Sequence, residues 1–260
     1  MQKTIIALVS VFLFVSLLAP VMAQGDSPFG RISTWAVERA AWADFEAFVL
    51  DKVGPVLDSK LNDGTLIDWG FTRRVLHTPE ESHALWTVAR SQSALLETDE
   101  AIDAALVNQG EGFVSVLGAV LSHSDVMVRS NPYRAHETLQ DGGYLTETTL
   151  TVQPGQEQEF GQWWTKHIQP VYQGLFDDGT IVAYGVDEER YVTTPRSRAI
   201  WVIVADAGAM DKIDGAFRRY FEGRSADELA GIFRPVNEEL VEPDSRRSSL
   251  YKVLRYHTKP

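Results

Sequence analysis

Phe160, Trp164, His167 and Val171 recur at i, i+4, i+7 and i+11, so a single helix would present them on one face. An imidazole titrates near neutral pH, which makes His167 the candidate catalytic residue, as a general base or a ligand positioner. In a packed core the same ring would be a hydrogen-bonded structural histidine. Trp163, Trp164, Trp69 and Tyr184 offer flat apolar surfaces suited to an aromatic ligand if they line a cavity, and ordinary packing if they do not. Lys52 occupies the place of His167 in the first half of the chain. A buried unpaired amine is costly, so this helix position is expected to border water or a cavity in both halves. The candidate ligand-binding residues are therefore Trp163, Trp164, Tyr184, Lys52 and Trp69.

Other chemistries find less support. His77 and His83 are six apart across an expected hairpin, but the second half carries Val192 and Arg198 there and offers no third ligand, so no metal site is expected. His123, His136 and His257 are isolated, and nothing assigns any of them to a haem iron. No cofactor is expected. Glu188-Glu189-Arg190 and Asp227-Glu228 read as solvated charge. No nucleophile-elbow, phosphate-loop or dinucleotide motif is present. The absence of cysteine among 260 residues removes disulfides, thiolate nucleophiles and Cys-ligated metals together. With 36 acidic against 24 basic residues and a formal charge of −12, nucleic acid and anionic membrane surfaces are disfavoured partners.

The elements that must position these residues follow from an internal repeat. Shifting the chain by 115 residues aligns Phe45 with Phe160, Pro55-Val56 with Pro170-Val171, and Asp63-Gly64-Thr65 with Asp178-Gly179-Thr180. Gly70 then meets Gly185, and Trp86 meets Trp201. Each copy begins with an alternating strand (Arg31 to Glu38; Tyr144 to Val152) and continues into an amphipathic helix stopped by Asp-Gly. A hairpin, a second helix and a closing strand complete the copy, so each reads β-α-β-β-α-β, a ferredoxin-like unit. One such unit leaves a sheet face bare. The expected fold is α+β, with two tandem ferredoxin-like βαββαβ units closing into one intramolecular α/β barrel.

The expected boundaries are a signal peptide over 1–23, a first barrel half over 24–131, a linker over 132–143 and a second half over 144–260. Lys3, the apolar run Ile5 to Ala19, Pro20 and Val21-Met22-Ala23 point to export with cleavage after Ala23, to the periplasm or the extracellular space. No membrane attachment is expected after cleavage.

The run Thr151-Val152-Gln153-Pro154-Gly155, followed by Phe160, Trp164, His167 and Pro170, resembles NIPSNAP-type members of the dimeric α/β-barrel superfamily. A later strand carrying Ile200-Trp201 also fits. The first copy keeps Phe45 and Pro55 but has Val49 and Lys52 in place of the tryptophan and histidine. The resemblance implies the barrel and does not choose an activity, because that superfamily includes cofactor-free monooxygenases, isomerases and haem proteins. Three readings follow. One is a barrel binding a small apolar or aromatic molecule or a protein partner. Another is a cofactor-free monooxygenase- or isomerase-type enzyme using His167, and the third is a haem protein of chlorite-dismutase-like build. What separates them is whether the barrel is hollow, and which titratable side chains face its interior.

Overall fold

A computed structural model describes residues 27–76, 81–107, 111–191 and 196–259. The first half runs β1 (Phe29–Val37), α1 (Trp42–Phe48), α2 (Gly54–Asn62), β2 (Asp68–Arg74), β3 (His83–Ala89), α3 (Gln92–Leu106), α4 (Glu111–Gly118) and β4 (Val120–Ala135). After a short strand, β5 (Thr138–Gln140), the second half runs β6 (Tyr144–Thr151), α5 (Glu157–His167), α6 (Gln169–Asp177), β7 (Ile181–Arg190), β8 (Ser197–Val204), α7 (Ala207–Phe221), α8 (Ala226–Arg234) and β9 (Arg247–Thr258). The segment expected to be a signal peptide, His77, and the two Thr-Pro turns lie outside the described residues.

Local signals repeat with the sequence. Ser91 caps α3 by accepting from the Ala94 amide at 3.3 Å, and Asp206 caps α7 through the Ala209 amide at 3.0 Å. Gly64 and Gly179 follow α2 and α6 with φ of +84° and +76°, the left-handed conformation in which an Asp-Gly stop ends a helix. The helix before each proline is interrupted. A π-helical turn, Val49–Val53, joins α1 to α2, and Ile168 separates α5 from α6. Pro55 and Pro170 cannot donate to the preceding turn, so the helix must widen or restart there.

The strand order within the halves is β2-β3-β1-β4 and β7-β8-β6-β9, the same ferredoxin-like order twice. The closing strand of each half pairs antiparallel with the second strand of the other: β4 with β7, and β9 with β2. Eight antiparallel strands therefore close into one barrel. The segment 132–143, expected as a linker, is built into it. β4 continues to Ala135 and pairs Tyr133 with Gly185, while β5 extends the sheet beside β9. The register slips between Ser130 and Tyr133, where Pro132 has no N–H to give to the ladder.

Strand alternation divides the side chains between two cores. Trp69, Phe71 and Leu85 point outward and pack under α1, α2 and α3 with Phe45, Val53, Leu57 and Leu95. Val202, Val204 and Tyr184 do the same under α6 and α7. Burying each large side chain there is worth ~1.5–3 kcal/mol relative to leaving it exposed. The opposite parity, with Ile32, Ala84, Trp86 and Val88 in the first half and Leu145, Glu147 and Trp201 in the second, faces the barrel interior.

Candidate functional site

The interior is built on two glycine–tryptophan pairs. β2 and β3 place Gly70 opposite Trp86, and β7 and β8 place Gly185 opposite Trp201. A Cβ on Gly70 would lie 2.1 Å from the Trp86 ring, and one on Gly185 would lie 2.5 Å from the Trp201 ring. Each indole therefore lies over a stretch of strand that only glycine leaves open. Their N–H groups are donated to buried carboxylates, Trp86 Nε1 to Asp68 Oδ1 at 2.8 Å and Trp201 to Asp187. Asp68 also accepts from the hydroxyls of Tyr133 at 2.6 Å and Tyr256 at 2.8 Å, and Asp187 accepts from Ser130 at 2.6 Å. Burial pushes both carboxyls up to about 6, against the pull of these hydrogen bonds.

Between the tryptophans is a cavity of about 730 Å³, a size suited to a small organic molecule. Its walls break the pseudo-twofold symmetry. In the first half Ile32 stands between Trp86 and Val126, and in the second Glu147 stands between Trp201 and Ser249. Likewise Gly30 faces Val128, whereas Leu145 faces Tyr251. The wall of β1 and β4, with Gly30, Ile32, Val126 and Val128, is largely aliphatic. That of β6 and β9, with Glu147, Ser249 and Tyr251, is polar and is joined across the β2–β9 seam by Arg74 and Glu81. Arg74 bonds to Glu81 at 2.8 Å and to the Ser249 hydroxyl at 2.8 Å, and the Tyr251 hydroxyl donates to Glu81 at 2.7 Å.

Glu147 is half-buried and lines the cavity. Burial pushes it up to about 7, reinforced by the charges of Glu81 and Asp187 and opposed by Arg74. Glu189 lines the same cavity. Its Oε2 is buried without a hydrogen-bond partner, and burial raises its pKa. Glu189 was expected to be solvated charge. Its neighbours Glu188 and Arg190 are exposed as expected, but strand parity turns the middle residue inward. Among the described residues, five carboxylates (Asp68, Glu81, Glu147, Asp187, Glu189) thus line the cavity against two guanidinium groups, Arg74 and Arg247.

The six residues singled out by sequence spacing lie outside the barrel interior. Trp69 is fully buried in the first helix-to-sheet layer, donating to Asp58 Oδ1 at 3.0 Å. Tyr184 is its counterpart in the second layer, donating to Gln173 Oε1 at 2.7 Å. Trp164 is buried beside Tyr172, and Trp163 donates to the Ile232 carbonyl at 2.8 Å. His167 is half-buried at the end of α5, its pKa lowered by burial and by the charges of Lys166 and Arg224. Lys52 is exposed. The four aromatic residues form parts of the packed layers, and none of the six lines the cavity. His83 is fully buried between Ser82 and Glu46, with Phe45, Phe71 and Trp42 around it.

A second hollow, of about 540 Å³, lies open on the helix side over Ile168, Phe217, Phe221 and Phe233, with Arg218 and Glu222 as its polar lining. It is a shallow apolar dish without converging polar groups, so the barrel interior is the better candidate.

Sequence reasoning passed over Trp86, Trp201 and Glu147. The signal was present in the repeat, which aligns both tryptophans and both glycines and sets Glu147 against Ile32. Assigning the strand from Leu150 and Val152 already put Glu147 on the opposite face.

No protein-family model matches the chain, and no curated protein matches it. Solved structures do. A putative monooxygenase from Fusobacterium nucleatum subsp. nucleatum ATCC 25586 superposes with a TM-score of 0.63 at 9% identity, over 90% of this chain and 95% of that one. A putative monooxygenase from Lactobacillus acidophilus NCFM gives 0.58 at 10% identity, over 90% and 97%. A heme-binding protein from Thermus thermophilus gives 0.51 at 11% identity, over 88% and 91%. Likeness at this identity concerns architecture. What the chain shares with them is the fold, an α+β barrel, here closed within one polypeptide.

Proposed function

We propose that this protein binds a small, flat, partly apolar molecule inside its barrel, between Trp86 and Trp201. The observation that carries this reading is the hollow interior with one aliphatic and one polar wall. A barrel kept only for stability would gain by filling such a space, because empty volume forfeits packing contacts. The NIPSNAP likeness, carried by the spacing from Thr151 to Pro170, and export with cleavage after Ala23 belong to the same proposal. Amino-terminal sequencing of the exported protein tests the export, with Gln24 expected first.

1-Naphthalenemethanol, a neutral planar probe, should raise the melting temperature of the wild-type protein and register in calorimetry. Ile32→Trp, which fills the aliphatic wall, should abolish that binding, while His167→Gln and Trp163→Leu should leave it within about twofold. Binding lost in His167→Gln but retained in Ile32→Trp would move the site back to the helix layer.

A second reading, a cofactor-free enzyme of the monooxygenase or isomerase kind, is favoured by one observation. Glu147 titrates near neutral pH inside a cavity, as a general acid or base requires. Under that reading the proton acceptor is Glu147 and no longer His167. Haem does not fit the interior. Among the described residues no histidine or methionine lines it, and the hydroxyls of Tyr133 and Tyr251 are already donated to Asp68 and Glu81.

A further inference from the structure

The charge of the cavity points to the chemistry of its occupant. We infer that the barrel selects an organic cation, an aromatic body carrying a protonated amine, with the ammonium held in the field of the lining carboxylates, Glu147 and Glu189 among them, and the ring against the aliphatic wall. This inference rests on the barrel reading above and adds the charge class of the ligand.

Three observations carry it. The first is the division of acceptors. Asp68 and Asp187 are occupied by tryptophan, tyrosine and serine donors, and Glu81 by Arg74 and Tyr251. The buried Glu189 Oε2 has no donor among the described residues, so the site offers an acceptor that a ligand N–H can satisfy. Secondly, the excess of carboxylates over guanidinium groups, behind walls of low polarisability, makes the interior attractive to cations and repellent to anions. The third is the pair of indole rings lining the same space, whose faces add a cation–π attraction that a neutral ligand would not receive. A bare metal ion is a poorer occupant, since among the described residues no three His, Cys, Asp or Glu side chains converge as a metal site requires.

The asymmetry between halves fits the same occupant. Where the first half puts Ile32 opposite a tryptophan, the second puts Glu147 opposite the other, so a molecule with one apolar and one cationic end has a single favoured orientation. The groups facing Glu147 are Arg74 of β2, Glu81 before β3, Asp187 of β7 and Tyr251 of β9. With two of these acidic and one cationic, an incoming ammonium favours the ionised carboxylate, and binding should release a proton near pH 6.5.

The test compares three probes of one shape by calorimetry on the full chain at pH 7.5: 1-naphthylmethylamine, 1-naphthalenemethanol and 1-naphthoate. The amine is expected to bind at least tenfold more tightly than the alcohol, and the carboxylate most weakly. Glu147→Gln should remove most of the amine preference, cutting its affinity about tenfold and leaving the alcohol within twofold. Glu189→Gln should cut the amine three- to tenfold. Repeating the amine titration at pH 6.5 in buffers of different ionisation enthalpy should reveal proton release that Glu147→Gln abolishes. Equal binding of amine and alcohol, or an amine preference unchanged in both variants, would overturn the cation inference and leave the barrel reading standing. If none of the three probes binds, the barrel reading fails and takes this inference with it. Binding of the alcohol to each variant doubles as the check that it has folded.

Discussion

Glu147 is the residue at which stability and function pull in opposite directions. Its carboxyl, like those of Asp68 and Asp187, has a higher pKa folded than unfolded. Below about pH 3 all three are largely protonated in both states and burial costs little. Between pH 4 and about 7 the folded state holds more protons than the unfolded one, so stability falls as pH rises through that window. His83 works the other way. Burial lowers its pKa, so its contribution is lost as pH falls below its unfolded value. Three carboxylates outweigh one imidazole, and the protein should melt higher at pH 5.5 than at pH 8. Glu147→Gln isolates one contribution. It should stabilise the protein at pH 8 by about 1–3 kcal/mol and change little at pH 5.5, as read from urea unfolding at the two pH values. An equal effect at both would show that Glu147 is not the group whose ionisation is penalised.

At the scale of elements, the two hairpins β2–β3 and β7–β8 shape the cavity, and each depends on a glycine. Gly70→Ala would drive a methyl into the Trp86 ring, with no flexible chain end to yield. The expected cost is about 1–3 kcal/mol, with loss of probe binding because the indole must leave its place. Trp86→Leu removes the obstacle. The double variant should therefore be less destabilised than the sum of the two single changes, a coupling measurable by a double-mutant cycle. Additive costs would mean that the indole does not lie where the glycine permits. The helices have a different task, holding the outer faces of the hairpins through Trp69, Phe71, Tyr184 and Val202. The aromatic residues that spacing placed on a helix face serve that packing.

The whole molecule is a dimer in miniature, its partners joined by the segment that becomes the end of β4 and β5. Both seams, β4–β7 and β9–β2, cross from one half to the other. A polypeptide of residues 24–133 would expose Ile32, Trp86, Val88, Val126 and Val128 on a bare sheet face, and leave β2 and β4 as open edges. It should aggregate or pair with a second copy, read by light scattering. A stable soluble monomer of that half would mean that the seams contribute little to its folding.

The duplication, the order β-α-β-β-α-β and the need to cover two bare sheet faces were legible from composition, periodicity and Asp-Gly stops, because each is a local pattern that repeats at 115 residues. Strand parity was legible too, and it already separated Glu147 from Leu150. Only the tertiary structure decided which face of each strand meets helices and which meets the other half. That choice sent Trp69 and Tyr184 into packed layers and Trp86, Trp201, Glu147 and Glu189 into the cavity. The reason is geometric. A helix face and a barrel interior both demand apolar residues with the same period along a strand, so periodicity alone cannot say which is which. Whether the interior closes tightly or stays hollow depends on side chains from all eight strands meeting at one place, brought together across the length of the chain by the two seams.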